Sequence, residues 1–145
     1  MRKKKRILIV DDHPALREGL RSLLTSNQDF DIVGEAGDGF EAIDSVNKFL
    51  PDLVLMDISM PRMDGMAATR EIKKNWPKTK ILAFTVHNSE EYIQATLQAG
   101  ADGYLLKDTA RSELIHSIEH ILNGKKVLGS AIMEKIKLVE SSSTH

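Results

Sequence analysis

The sequence has no cysteine, four prolines and only 5% aromatic residues. The absence of cysteine excludes a disulfide framework, thiolate zinc sites and thiol catalysis. Long apolar runs are absent near the start, where the basic segment Met1–Arg6 is followed by only the short apolar run Ile7–Val10. This run is too short for a signal peptide or a membrane-spanning helix. We therefore expect a cytoplasmic protein with no membrane partner.

The chain also lacks an excess of either charge. Its 20 basic and 21 acidic residues give a net charge of −1, so no global positive field attracts nucleic acid. The 145 residues are 41% apolar and 28% charged, which is typical of one globular domain with at most a short appendage. The apolar pattern weakens after Gly124, and we predict a domain over residues 5–124 and a linker or tail over 125–145.

Five short segments are almost wholly apolar, on both faces of an extended chain. Such runs are typical of strands that helices cover on both sides of a parallel sheet. The predicted strands are Ile7–Val10, Ile32–Val33 with a continuation toward Ala36, Leu53–Met56, Ile81–Phe84 and Tyr104–Leu106.

Segments with helical spacing of apolar residues lie after each predicted strand. Their starts and ends carry recognisable signals, such as Pro14 in a first turn, Asp38 with Glu41 as a capping box, and Pro77 after a helix end. We expect the fourth helix to begin at Asn88 and the fifth to close at Gly124. Five strands alternating with five helices predict an α/β fold with a doubly wound, five-stranded parallel sheet.

Polar residues follow or end four of the predicted strands. They are Asp11 and Asp12, Asp57, Thr85 and Lys107. Each alone is typical of a turn, a helix cap or a solvated flank. Because parallel strands place their carboxyl ends at one edge of the sheet, where ligand sites form, the five together indicate a functional site.

The chemistry of this set favours a hard divalent cation. Three carboxylates within a few ångströms repel one another unless a cation lies between them. Mg²⁺ prefers oxygen ligands and commonly uses one or two carboxylates with a phosphate oxygen. A carboxylate beside Mg²⁺ and a lysine can attack phosphorus and form an aspartyl phosphate, and the hydroxyl of Thr85 can donate to a phosphoryl oxygen.

These residues, with the segment Asp57-Ile-Ser-Met-Pro-Arg-Met-Asp-Gly65, resemble the receiver domain of two-component response regulators over roughly Lys5–Asn123. The resemblance implies a (βα)5 fold like that of flavodoxin and CheY, with strand order 2-1-3-4-5. His13-Pro14, Gly34-Glu-Ala36 and the stretch from Ala99 to Asp108 resemble the NarL/FixJ subgroup. In that subgroup a LuxR-type helix-turn-helix usually follows, and we expect this effector domain to be absent from the present chain.

The resemblance implies a magnesium site and a phosphorylation site. Asp57 is the expected phosphoryl acceptor from a sensor histidine kinase and also a Mg²⁺ ligand. Asp12 is expected to bind the ion directly, Asp11 mostly through water, and Ser59 through its backbone carbonyl.

The resemblance also implies a switch. Lys107 is expected to pair with the phosphoryl group, Thr85 to be the switch hydroxyl and Tyr104 the switch aromatic. Such a domain catalyses only its own phosphorylation and slow dephosphorylation. Its expected partners are the kinase, a second copy of the chain, and DNA through the effector domain alone.

Most receivers have proline after the lysine, with a cis peptide bond, but here the residue is Asp108. A cis bond before a non-proline residue costs about 2.5–4 kcal/mol, so the cis form is not assumed at this position.

Two other functions are compatible with parts of the sequence. Gly37-x-Gly39-x-x-Ala42 matches a dinucleotide-binding pattern, but Asp38 and Glu41 would repel a pyrophosphate there. A phosphatase with an aspartyl nucleophile shares the proposed chemistry. Such enzymes usually carry a second aspartate two residues after the nucleophile as general acid, and here that residue is Ser59.

Overall fold

The computed structural model describes residues 3–134, which form an α/β fold with one six-stranded parallel sheet. Among these residues, no helix combines the length and apolar content needed to cross a bilayer. The strands are β1 (Lys5–Val10), β2 (Phe30–Ala36), β3 (Leu53–Met56), β4 (Lys80–Thr85), β5 (Gly103–Leu106) and β6 (Val127–Leu128). The helices are α1 (Pro14–Thr25), α2 (Gly39–Phe49), α3 (Gly65–Asn75), α4 (Glu90–Gln98) and α5 (Arg111–Leu122).

The strand order is β2-β1-β3-β4-β5-β6. The five predicted strands and their order are confirmed, but the prediction of a five-stranded sheet is wrong. A sixth strand, β6, pairs in parallel with β5, with Gly103 opposite Val127 and Tyr104 opposite Leu128. Two residues are too few to show a period in the sequence, so this strand is defined by its partner and not by its own pattern.

The helix starts agree with local capping chemistry. Asp38 caps α2 by accepting from the N–H of Glu41 (2.9 Å), and Glu41 in turn accepts from the N–H of Gly37 (3.2 Å). The fourth helix begins at Glu90 and not at Asn88, because Ser89 is its cap and accepts from the N–H of Tyr92 (3.3 Å).

Alternate residues of the central strands point to opposite faces, and helices bury both faces. One face packs against α1 and α5, the other against α2 and α3. The first core includes Ile7, Ile9, Leu24, Leu53, Leu55 and Ile118, and the second includes Leu8, Val10, Val46, Val54 and Ile72. Because helices cover both faces of the sheet, polar side chains from the strands reach solvent mainly at the strand ends.

The segment after α5 is packed onto the domain. The N–H of Gly129 donates to the carbonyl of Tyr104 (3.0 Å), and residues 130–134 are helical. Ile132 is 1% exposed and belongs to the same apolar cluster as Tyr104. Residues 135–145 of the predicted linker or tail (125–145) lie outside the described residues.

A buried carboxylate, that of Asp102, joins three elements at the end of the sheet away from the predicted site. It accepts from the backbone N–H of Ile81 (2.9 Å), from Lys73 (3.1 Å) and from Lys126 (3.1 Å). Burial opposes its ionisation, but these three donors outweigh burial, and the pKa of Asp102 lies below its usual value.

We expect Asp102→Ala to lower the free energy of unfolding by about 3 kcal/mol at neutral pH, because it leaves a buried N–H and a lysine without their acceptor. A carboxyl whose pKa is depressed in the folded state stabilises the fold above its unfolded pKa of about 3.9, and this stabilisation is lost as pH falls through the folded value. Urea unfolding followed by circular dichroism should therefore show a difference from wild type that shrinks in acid. Lys126→Ala, which removes the exposed partner, should cost less than about 1 kcal/mol. A difference independent of pH would contradict the role of the charge.

Candidate functional site

The carboxyl ends of β1 and β3 bring the predicted acids together. The N–H of Asp57 donates to the carbonyl of Val10 (2.9 Å), which places the residue after β3 beside the end of β1. Asp11, Asp12, His13 and Asp57 each offer a potential ligand atom, and these atoms lie within 4.8 Å of one another. The sheet geometry thus creates the acidic cluster that the strand ends predict.

The ammonium group of Lys107, which follows β5, lies among these carboxylates. Its Nζ is 2.8 Å from Asp11 Oδ2 and 3.3 Å from Asp57 Oδ2, and the side chain is 15% exposed. Burial works against the lysine's charge, but the two carboxylates outweigh burial and raise the pKa of Lys107. Lys107 is therefore a fixed positive charge facing Asp57.

Asp57 is 4% exposed. Burial is the largest influence on its carboxyl group and raises its pKa, with a further rise from the charge of Asp11. Lys107 and the backbone N–H of Ser59 act in the opposite direction without cancelling the effect. An ionised Asp57 is thus held at an energetic disadvantage, which additional positive charge in the pocket would relieve.

The donor set fits a small divalent cation. Asp12 Oδ1 is buried and has no hydrogen-bond partner among the described residues. The neighbouring His13 Nδ1 lies 3.1 Å from this oxygen, but its hydrogen bond is with Asp11 Oδ1, also at 3.1 Å. A buried, unpartnered carboxylate oxygen beside two further carboxylates is the arrangement that an oxygen-binding ion such as Mg²⁺ satisfies.

Thr85 and Tyr104 meet at the backbone of His87. The buried Thr85 hydroxyl oxygen accepts from the N–H of His87 (3.3 Å), and the Tyr104 hydroxyl donates to the carbonyl of His87 (2.7 Å). Tyr104 is fully buried, and burial raises the pKa of its phenol. The backbone N–H of Lys107 donates to the backbone carbonyl of Thr85 (2.9 Å). This bond between neighbouring strands connects Thr85 and Tyr104 to the acidic pocket.

The loop after β3 passes very close to Asp57, which explains the glycine at its end. A Cβ atom on Gly65 would lie 2.0 Å from the Asp57 carbonyl oxygen and 2.8 Å from Ile58 Cα. Both contacts are with backbone, which cannot move aside as a flexible side chain does. Gly65 therefore allows α3 to start directly beside the site.

The start of α2 is occupied by protein groups. The N–H of Gly39 donates to the Met63 carbonyl (2.8 Å), and the N–H of Glu41 donates to the Asp38 carboxylate. A dinucleotide pyrophosphate needs free donors at such a helix start, so this geometry argues against the dinucleotide alternative.

The structure therefore brings Asp11, Asp12, Asp57 and Lys107 into direct proximity, with the Ser59 N–H on Asp57 and with Thr85 and Tyr104 joined through His87. The structure adds His13 to this cluster, a residue that the sequence did not predict as part of the site. Its position directly after the two acids at the end of β1 is the sequence signal that could have indicated it. No peptide bond in the described chain is cis, so Lys107–Asp108 is trans.

Comparison with known proteins gives this site a family. A family model described as the response regulator receiver domain matches residues 7–119. The chain belongs to this family. It is a response regulator receiver domain of a two-component system, and its relatives include regulators of the NarL and LuxR type.

The receiver domain is similar to the transcriptional regulatory protein DegU of Brevibacillus brevis. The two are 37% identical over 141 residues, a match that covers 94% of this chain and 60% of DegU. The chain thus spans about three fifths of the length of this curated relative.

Two solved structures are also similar to the receiver domain. One is a LuxR-family two-component response regulator from Aurantimonas sp. SI85-9A1, with a TM-score of 0.92, 35% identity, and coverage of 96% of this chain and 99% of that one. The other is the signal receiver domain of the response regulator NarL from Mycobacterium tuberculosis, with a TM-score of 0.81, 34% identity, and coverage of 85% and 99%. Their similarity supports the flavodoxin- and CheY-like fold over most of the chain.

Proposed function

We propose that Asp57 accepts a phosphoryl group from a phosphohistidine on a sensor histidine kinase, and that this phosphorylation switches the receiver domain. The observation that carries the proposal is the position of Lys107, whose ammonium group faces both Asp11 and Asp57 in a buried pocket of carboxylates. A lysine in this place supplies the positive charge that a phosphoryl transfer to Asp57 requires.

In the proposed reaction a carboxylate oxygen of Asp57 attacks phosphorus. The new O–P bond forms as the N–P bond to the kinase histidine breaks, and the bonding pair leaves with the imidazole. Lys107 neutralises charge on the phosphoryl oxygens.

We further propose that Asp11, Asp12, Asp57 and the Ser59 carbonyl hold Mg²⁺. When bound, the ion neutralises the carboxylates and orients the phosphoryl oxygens. The buried oxygen of Asp12 supports this assignment, because it accepts no hydrogen bond from the described residues.

The signal would leave the site through Thr85 and Tyr104. A phosphoryl oxygen on Asp57 would accept from the Thr85 hydroxyl and draw it toward the site, away from the His87 N–H that now donates to it (3.3 Å), and the carbonyl of the same His87 accepts from Tyr104. A shift of Thr85 therefore changes the anchoring of Tyr104. We propose a population shift between two arrangements of this unit, and not a new fold.

The output of the whole protein is also a proposal. Relatives such as DegU are transcriptional regulators and are longer than this chain, so we propose that a DNA-binding effector domain belongs with the receiver and that DNA is contacted through it alone. We also propose that the protein forms a homodimer and acts in the cytoplasm. We propose no external product: the position two residues after Asp57 is Ser59, which cannot act as the general acid of an aspartyl phosphatase.

The proposal is tested by the intact mass of the protein after incubation with acetyl phosphate. We expect a single added phosphoryl group in the presence of Mg²⁺, and at least about tenfold less labelling in EDTA, because the carboxylate cluster and the phosphoryl oxygens then lack a neutralising cation. Incubation with Na⁺ at matched ionic strength controls for a general salt effect. Equal labelling with and without Mg²⁺ would contradict the metal assignment, and no labelling in either condition would contradict the phosphoryl acceptor.

A further inference from the structure

The loop between β3 and α3, residues 57–64, carries Asp57 and Ser59 and is held by two backbone hydrogen bonds. One closes the loop, because the N–H of Gly65 donates to the Ile58 carbonyl (2.7 Å). The other joins the loop to the start of α2, because the N–H of Gly39 donates to the Met63 carbonyl (2.8 Å), and a Cβ on Gly39 would lie only 2.5 Å from the Met63 side chain. The loop therefore lies tightly between α2 and the phosphorylation site.

Within this loop, Arg62 has a left-handed backbone conformation, with φ of 66°. This conformation is unfavourable for a residue with a Cβ, and glycine or asparagine would occupy it more easily. A loop that contains such a residue needs a compensating interaction to keep this conformation.

The side chain of Arg62 supplies a specific contact. Its Nε donates to Asp38 Oδ2 (2.7 Å), Nη2 donates to the same oxygen, and Glu41 lies 3.4 Å away. The Asp38 side chain is 1% exposed, whereas that of Arg62 is 66% exposed. An exposed guanidinium thus satisfies a buried carboxylate.

Asp38 has a second partner, because its Oδ1 caps α2 through the Glu41 N–H (2.9 Å). The cap, followed by the guanidinium of Arg62, holds the pKa of Asp38 below its usual value against the effect of burial. One buried carboxylate therefore ties the β3–α3 loop to the end of a rigid helix.

We propose that the Arg62–Asp38 ion pair is a positioning device that holds the β3–α3 loop in the conformation needed to bind the divalent cation. The proposal rests on the proposed function of Asp57 and Ser59. Neither Arg62 nor Asp38 belongs to the acidic cluster, so the ion pair acts through the backbone that carries Ser59. Loss of the pair leaves the left-handed residue uncompensated, and the loop spends part of its time in conformations that remove the Ser59 carbonyl from the pocket.

The test uses Asp38→Asn and Arg62→Met. Asparagine preserves the cap of α2 but removes the charge, and methionine preserves the length of the arginine stem. We expect each variant to raise the Kd for Mg²⁺, measured by calorimetry, about fivefold. The double variant should resemble either single variant, because both remove the same interaction.

A kinetic measurement separates positioning from chemistry. At saturating Mg²⁺, the rate of acetyl phosphate labelling should lie within about twofold of wild type, because Asp57 and Lys107 are intact. Arg62→Lys keeps a cation within reach of Asp38 and should recover most of the Mg²⁺ affinity.

Lys126→Met is the matched control. Lys126 is also an exposed cation (73%) on a buried carboxylate, that of Asp102 (5%), but it lies away from the β3–α3 loop. It should leave the Kd for Mg²⁺ unchanged. If the Arg62 and Asp38 variants also keep the wild-type Kd, the ion pair is structural only and the proposal is wrong. If the wild-type protein takes up no phosphoryl group, the proposed function is wrong. This outcome is seen in the labelling measurement and is therefore separate from the Mg²⁺ titration that tests the ion pair.

Discussion

Replacement of Asp57 by asparagine should reduce phosphoryl labelling by acetyl phosphate at least about 10²-fold, to the detection limit of intact mass spectrometry. The amide preserves the shape of the side chain but has no nucleophilic carboxylate oxygen. The neighbouring Asp11 and Asp12 remain in the pocket, so this variant also tests whether another carboxylate can accept the group. Labelling that persists and maps to Asp12 would contradict the assignment of Asp57.

The same variant should be more stable than wild type in EDTA at neutral pH. The pKa of Asp57 is raised in the folded state, chiefly by burial, so its ionisation opposes folding as pH rises through the unfolded and then the folded value. Asparagine cannot ionise and avoids this penalty. Urea unfolding at neutral pH in EDTA checks the sign, and the gain should vanish in acid, where the wild-type carboxyl is protonated.

Removal of the Lys107 ammonium group should have opposite effects on phosphorylation and on metal binding. In Lys107→Ala we expect labelling to slow by about 10²-fold, as for loss of one charge-stabilising donor in other active sites. Mg²⁺ should bind at least as tightly as in wild type, because a positive charge 2.8 Å from Asp11 and 3.3 Å from Asp57 no longer competes with the ion.

The two effects are measured by single-turnover labelling at saturating Mg²⁺ and by calorimetric Mg²⁺ titration. Lys126→Ala controls for the loss of any lysine paired with a buried aspartate and should change neither quantity. If Lys107→Ala weakens Mg²⁺ binding and labelling together, the lysine maintains the shape of the pocket and does not act on the phosphoryl group.

The acids and the lysine could be found from the sequence because their positions follow from one repeated pattern. Strands that are apolar on both faces belong to parallel sheets, and parallel strands place their following residues at one edge. Asp11, Asp57 and Lys107 were therefore expected at one edge of the sheet once the strands were located, and the structure places Lys107 within 3.3 Å of both acids. The helix caps were predictable for a similar reason, since Asp38 and Glu41 interact within one turn.

The sequence by itself thus determined the strand–helix alternation, the core faces and the residues at the strand ends, because each is encoded by local periodicity. Only the tertiary structure decided that β6 extends the sheet beyond β5, that His87 joins Thr85 to Tyr104, and that Arg62 reaches Asp38. These features depend on contacts between residues far apart in the chain, and in β6 on two residues alone. A contact of this kind leaves no periodic pattern in either segment, so it cannot be predicted from the sequence. It forms because the sheet and its loops bring the two partners together.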